Sequence, residues 1–210
     1  MTDHNTSLSI ITIEKETDKA NSVLTKPTSE VQFPLSEEDK KLISEMKQLL
    51  YKLEGVGLAA PQVGAGRKIA LIYIPESASL LREDVRAYPM HTIINPEYSP
   101  VDPENRRHDF EGCYSVSNVY GKVPRFSAIK VKYQNEDGKI IIQIVDSFYA
   151  RVLQHEIDHL NGLLITDRLT PDCLQGPPAK MLKYRREELP KEKQEYFDKL
   201  IKSKGLMIED

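Results

Sequence analysis

Two imidazoles four positions apart, with a carboxylate directly after the first, can hold a metal ion and bring an acid/base group to it. Residues 154 to 162 read Gln-His-Glu-Ile-Asp-His-Leu-Asn-Gly and supply that pattern in His155, Glu156 and His159. On an α-helix, side chains at i and i+4 leave one face with about 5–6 Å between their β-carbons, so both rings can reach one cation. Glu156 then lies close enough to take a proton from a metal-bound water. A hydrolytic site of this kind wants a third protein ligand and keeps one position for water. His4, His91, His108, Cys113, Cys173 and many carboxylates are candidates. Cys113 stands out by its setting, Glu111-Gly112-Cys113-Tyr114-Ser115, downstream of Gly55-Val56-Gly57-Leu58-Ala59-Ala60-Pro61-Gln62.

These three strings, in this order, resemble the signature of the peptide deformylases: G-x-G-L-A-A-P-Q, E-G-C-L-S and Q-H-E-x-D-H-L-x-G. The first and third agree throughout, and the second has Tyr114 where the family has leucine. The likeness continues through Ile94-Asn95-Pro96-Glu97, Gly121-Lys122-Val123-Pro124-Arg125 and Ala150-Arg151-Val152-Leu153, and covers about residues 31 to 170. It implies a hydrolase that removes the N-formyl group from the initiator methionine of newly synthesised polypeptides, releasing formate. Cys113, His155 and His159 would hold one divalent ion, Fe(2+) in the family; the donor set also suits Zn(2+), Ni(2+) or Co(2+).

The resemblance also implies roles around that ion. Glu156 would carry the proton, while the Gln62 side-chain amide and the backbone N–H of Tyr114 would donate to the oxyanion. Val56, Phe148 and Val152 match positions that form the methionine pocket. Gly55 and Gly57 either end the preceding helix or let the substrate backbone approach the metal. Asp158 and Asn95 are candidates to orient the ligand histidines, although Asp158 can equally be ordinary helix-surface polarity. Tyr114, Ser117, Asn118 and Tyr120 depart from the family pattern and bear on peptide preference beyond formyl-methionine.

Two other readings compete. A thermolysin-like metalloprotease carries the same H-E-x-x-H helix, and the third ligand discriminates it. A deformylase-like fold could also persist as a catalytically weak metal-binding or ribosome-associated protein. The glycines of the first string fit G-x-G-x-x-A as well, but a dinucleotide turn follows a strand and opens a helix, whereas here a helix precedes it.

Composition narrows the setting. The 210 residues, 40% of them hydrophobic, suffice for one buried core. A net charge of −3 from 29 basic and 32 acidic residues argues against a general nucleic-acid binder. No apolar run approaches the roughly 18 residues that span a bilayer, and the first thirty residues lack a signal-peptide core, so a cytoplasmic protein and a monomer are expected. Two cysteines permit a disulfide, but a ligand thiol must stay reduced, which suits the cytosol.

The elements that must position these residues form an α+β fold: one compact domain with antiparallel or mixed sheets around a central metal-binding helix, plus a C-terminal helix. Residues 1–10 read as a mobile tail, 11–170 as the catalytic domain and 171–210 as a charged helical extension. A helix is expected over about 37–53, capped by Ser36 and ended by Gly55 and Gly57; short strands over 69–74 and 92–95 follow. Residues 127–133 and 139–145 read as a hairpin turning at Asp137-Gly138. The metal helix should run from 147 to 160, capped by Asp146 or Ser147 and closed near Gly162, and a last helix should span 191–203. Nine basic against five acidic residues between Lys180 and Lys204 read as a solvated helix rather than a docking surface, with contact to the ribosome left open.

Overall fold

A computed structural model describes residues 7–20, 22–82 and 85–209. The expected terminal tail therefore lies partly outside the described residues; within it, Leu8 and Ile10 pack against the core cluster built on the first long helix. After a short turn of helix, α1 (Glu16–Lys19), that long helix is α2 (Glu37–Lys52). Ser36 caps it as expected, its hydroxyl accepting from the Asp39 N–H at 3.1 Å. Ile43, Met46, Leu49 and Leu50 bury its apolar face against Leu58, Ile69 and Leu71. The helix ends one residue earlier than the glycines suggested. Leu53 is its C-cap and Glu54, not a glycine, takes the left-handed turn at φ 51°.

Eight strands follow: β1 (Gly57–Ala59), β2 (Ile69–Ile74), β3 (Tyr88–Pro100), β4 (Arg106–Cys113), β5 (Val116–Phe126), β6 (Ala128–Gln134), β7 (Ile140–Asp146) and β8 (Gln175–Gly176). They make a five-stranded sheet in the order β1-β2-β3-β6-β7 and a three-stranded sheet in the order β4-β5-β8, with every pairing antiparallel. The strand expected over 92–95 is far longer because its prolines do not break it. Its pairing with β6 shifts register between Ile94 and Glu97, and the irregularity accommodates Pro96 and a left-handed Asn95 (φ 50°).

The metal helix α3 runs from Ser147 to Leu160, as its periodicity predicts. Asp146 is its N-cap residue, yet its side chain makes no capping bond. Gly162 closes the far end at φ 75°, where an added Cβ would come within 2.8 Å of the Thr25–Lys26 backbone. Tyr149, Val152, Leu153, Ile157 and Leu160 join Ile72, Ile93, Ile129 and Val131 in one core, so α3 lies against the larger sheet. A four-residue helix, α4 (Ile165–Arg168), leads to β8 and then to two C-terminal helices rather than one, α5 (Pro178–Glu187) and α6 (Lys191–Ser203). Pro177 and Pro178 start α5, since proline at the first turn forfeits no intrahelical bond.

Candidate metal centre

Two segments converge on α3. The turn Ala60–Val63, with proline in its first positions and closed by a left-handed Gly64 (φ 88°), presents Gln62. Strand β4 delivers Glu111 and Cys113 on either side of an irregularity in its pairing with β5, and both reach α3, Glu111 at His155 Nδ1 and Cys113 at His159 Nε2, before the chain reverses through Tyr114 and Ser115 into β5. The thiolate sulfur of Cys113 lies 3.3 Å from His159 Nε2, and the two Nε2 atoms of His159 and His155 are 3.3 Å apart. All three donor atoms fall within 4.8 Å of one another, the one such His/Cys/Asp/Glu group among the described residues. Two nitrogens each about 2.0–2.1 Å from a tetrahedral cation stand roughly 3.3 Å apart, so the spacing fits a single ion.

The surroundings fit one too. Glu111 accepts from His155 Nδ1 at 3.0 Å, which fixes the ring and leaves its Nε2 lone pair for a metal. Arg125 gives the same carboxylate two hydrogen bonds of 3.1 and 3.0 Å, and Arg151 adds a third at 2.6 Å. Burial alone would raise the Glu111 pKa, but Arg125 and His155 outweigh it and hold the carboxyl well below its ordinary range. Cys113 follows the same logic: burial opposes the thiolate, and His159 and His155 overcome it. Positive charge between these groups, on a ring nitrogen or on a bound cation, is therefore favoured. The Glu156 carboxyl is different. Burial, only partly offset by the two imidazoles, pushes it up to about 7, and its Oε2 has no hydrogen-bond partner. A buried oxygen left unpaired beside three metal donors is what a proton carrier for a metal-activated water requires.

Gln62 is held by two contacts. Its Oε1 accepts from Ala59 N–H at 2.9 Å, which turns its Nε2 toward Ser115 Oγ at 3.3 Å and Cys113 Sγ at 3.7 Å. The glycines of the first motif make room for protein. A Cβ on Gly57 would lie 2.2 Å from Glu156 Oε1, and one on Gly55 would meet Leu50 and the Tyr114 hydroxyl at 2.9 Å. Val56, Phe148 and Val152 belong to one apolar cluster, with the Arg82 guanidinium 4.4 Å over the Phe148 ring.

The two suggested orienters do other work. Asp158 pairs with Arg125 and Arg168, and Asn95 bonds Val31 and Gln134. Glu111 is the orienter that sequence reasoning passed over, although it stands two residues before the ligand cysteine. His91 is engaged by Tyr149 at 3.0 Å, Cys173 is a buried free thiol, and His4 lies outside the described residues.

Residues 10–174 match the polypeptide deformylase family. The peptide deformylase of Thermotoga maritima is 41% identical over 132 residues, covering 63% of this chain and 73% of that protein. The crystal structure of a Thermotoga maritima peptide deformylase superposes with a TM-score of 0.65 at 34% identity, covering 80% of this chain and all of that one (100%). A class I type b peptide deformylase from Acinetobacter baumannii, solved with Met-Ala-Ser bound, gives a TM-score of 0.66 at 27% identity, over 77% of this chain and 98% of that one. A cysteine on a strand end, two histidines on one helix and a sequence match across most of the chain agree: this chain belongs to the polypeptide deformylase family.

Proposed function

We propose that Cys113, His155 and His159 hold one Fe(2+) ion and that Glu156 is the proton carrier of this deformylase, which removes the N-formyl group from the methionine of new polypeptides and releases formate. The single observation that supports the ligand set is the cluster of three donor atoms with an unpaired Glu156 oxygen beside it. A cation held by these three residues would supply the Lewis acidity that makes water nucleophilic at neutral pH. Glu156 takes the proton of the attacking water and delivers it to the nitrogen that leaves as a free amine. The Gln62 amide and the Tyr114 backbone N–H donate to the oxygen of the former formyl carbonyl as it gains charge, donors of a type worth about 3–4 kcal/mol each. Val56, Phe148 and Val152 receive the methionine side chain in the apolar cluster they share, while Gly55 and Gly57 set the adjoining wall. The Met-Ala-Ser seen in the Acinetobacter baumannii protein is a reasonable guide to how a peptide lies along that wall.

No helix of the described residues is long and apolar enough to cross a membrane. We place the protein in the cytoplasm as a monomer that meets its substrate on nascent chains, with the ribosome as a transient contact. The test is anaerobic purification, metal analysis, and assay of formate released from formyl-Met-Ala-Ser beside cleavage of an internal peptide bond. About one iron per chain and formate release are expected. Internal cleavage without formate would favour the protease reading, and a metal-loaded but inert protein would favour the weak, binding-only one.

A further inference from the structure

The family match ends at residue 174, yet the chain beyond it reaches two segments of the motifs that precede the metal helix. One is Leu53 to Gly57 and the other is Gly112 to Tyr114, which the proposed function makes the two walls of the peptide groove. At the end of α6, the Lys204 ammonium donates to the Glu54 carbonyl at 2.9 Å. On the opposite side, the apolar seam of α5 and α6, formed by Leu182, Leu189, Phe197 and Ile201, packs against Tyr120. The Tyr120 ring fills the space a Gly112 side chain would take, 2.5 Å from where its Cβ would stand. Between the walls, the Tyr114 hydroxyl donates to the Leu53 carbonyl at 3.0 Å. The turn at Leu53 and Glu54, with Glu54 left-handed, is thus gripped from both sides through successive carbonyls.

We propose that the α5–α6 hairpin sets the width of the peptide groove and that Lys204 is a positioning residue for peptide binding, acting with Tyr114 through the Leu53–Glu54 turn. The proposal rests on the reading of Gly55, Val56 and Gly57 as a substrate wall. An unclamped turn lets that wall drift, and a bound peptide must then restore its order, which weakens binding and leaves the cation, Glu156 and Gln62 untouched.

The experiment compares the full-length parent with Lys204→Met, which keeps the stem and loses the donor, with Lys204→Arg, which restores one, and with Tyr114→Phe. For Lys204→Met, KM for formyl-Met-Ala-Ser should rise about fivefold, the effect of one lost hydrogen bond, with kcat and iron content unchanged and the melting temperature lowered by about 2–4 °C at most. Lys204→Arg should recover most of the loss. Amide exchange at residues 54–57 should quicken in Lys204→Met and Tyr114→Phe but not along α3. Combining the two should change exchange by less than the product of the single effects, since both act on one turn. Unchanged KM and exchange in Lys204→Met would overturn the proposal, and so would a joint fall in kcat, metal and melting temperature. If the parent itself released no formate, the deformylase reading would fail alone, because exchange and calorimetric binding of Met-Ala-Ser would still decide whether Lys204 positions the wall.

Discussion

Helix α3 presents His155, Glu156 and His159 through the helical repeat alone, whereas Lys204 reaches Glu54 across 150 residues of chain. The first arrangement is local, buried and tied into one charge network. The second is assembled from a helix end, a lone carbonyl and a tyrosine from a distant turn. The difference teaches that chemistry can be encoded by spacing, while the shape of the groove around it depends on tertiary packing. Substitutions in the two regions should therefore fail in different ways: near the cation, turnover or metal is lost outright, and at the rim, binding slackens.

The largest effects should come from the cation site. Cys113→Ala removes the only sulfur donor of the cluster and should abolish both metal retention and formate release, read by metal analysis of the purified variant. Glu156→Gln keeps shape but not basicity, and turnover should drop by about 10²–10⁴-fold with the metal still bound. A variant that turned over normally would remove Glu156 from proton transfer. Gly57→Ala sharpens the contrast because it touches the same carboxylate from the wall. Its Cβ would lie 2.2 Å from Glu156 Oε1, so kcat should fall about 10²-fold while Gly55–Val56 contacts persist. A crystal structure of that variant with Glu156 undisplaced would refute the steric account.

Glu111→Gln probes how far the local network extends. The carboxylate is buried and answers Arg125, Arg151 and His155 together, so its loss leaves charges unpaired and should cost about 3–5 kcal/mol in urea unfolding. Metal affinity should weaken about 10–100-fold because His155 loses its orienting acceptor. Unfolding stability within error of the parent would mean that the arginines repair the network by themselves.

How much of this was legible follows from the range of each interaction. The i, i+4 spacing placed His155 and His159 on one helix, and the apolar stripe with Ser36 located α2 to within a residue or so, because both signals are local. The β4–β5 hairpin escaped notice since Pro124 and Gly121 interrupt alternation on a strand whose partners lie in the smaller sheet. Glu111 could have been inferred from the need of a ligand histidine for an acceptor, but one acid among many has no local mark. Gly57 carried a signal that pointed elsewhere: the glycine was readable, and the Glu156 carboxylate occupying its space was not. Lys204 had no signal at all, being one cation in a charged helix.

The smallest expected effect concerns an ion pair at the start of α2 that stays clear of the cation site. Asp39 on α2 accepts two hydrogen bonds of 2.8 Å from Arg67, a residue of the segment between the Gln62 turn and β2. Burial pushes the Asp39 carboxyl up, but the bonds from Arg67 and Ser36 outweigh it and leave the pKa lowered. A carboxyl whose folded pKa lies below its unfolded value of about 3.9 stabilises the fold fully above that value, and the contribution fades as pH drops through the folded one. Asp39→Asn should therefore lower stability by about 2 kcal/mol at neutral pH, with the gap to the parent closing only in acid below about pH 4. Metal content should not change, because neither residue touches the Cys113–His155–His159 cluster. If the gap instead persisted undiminished at pH 2, the contribution would come from packing rather than charge, and the start of α2 would be held by the same apolar logic as its core.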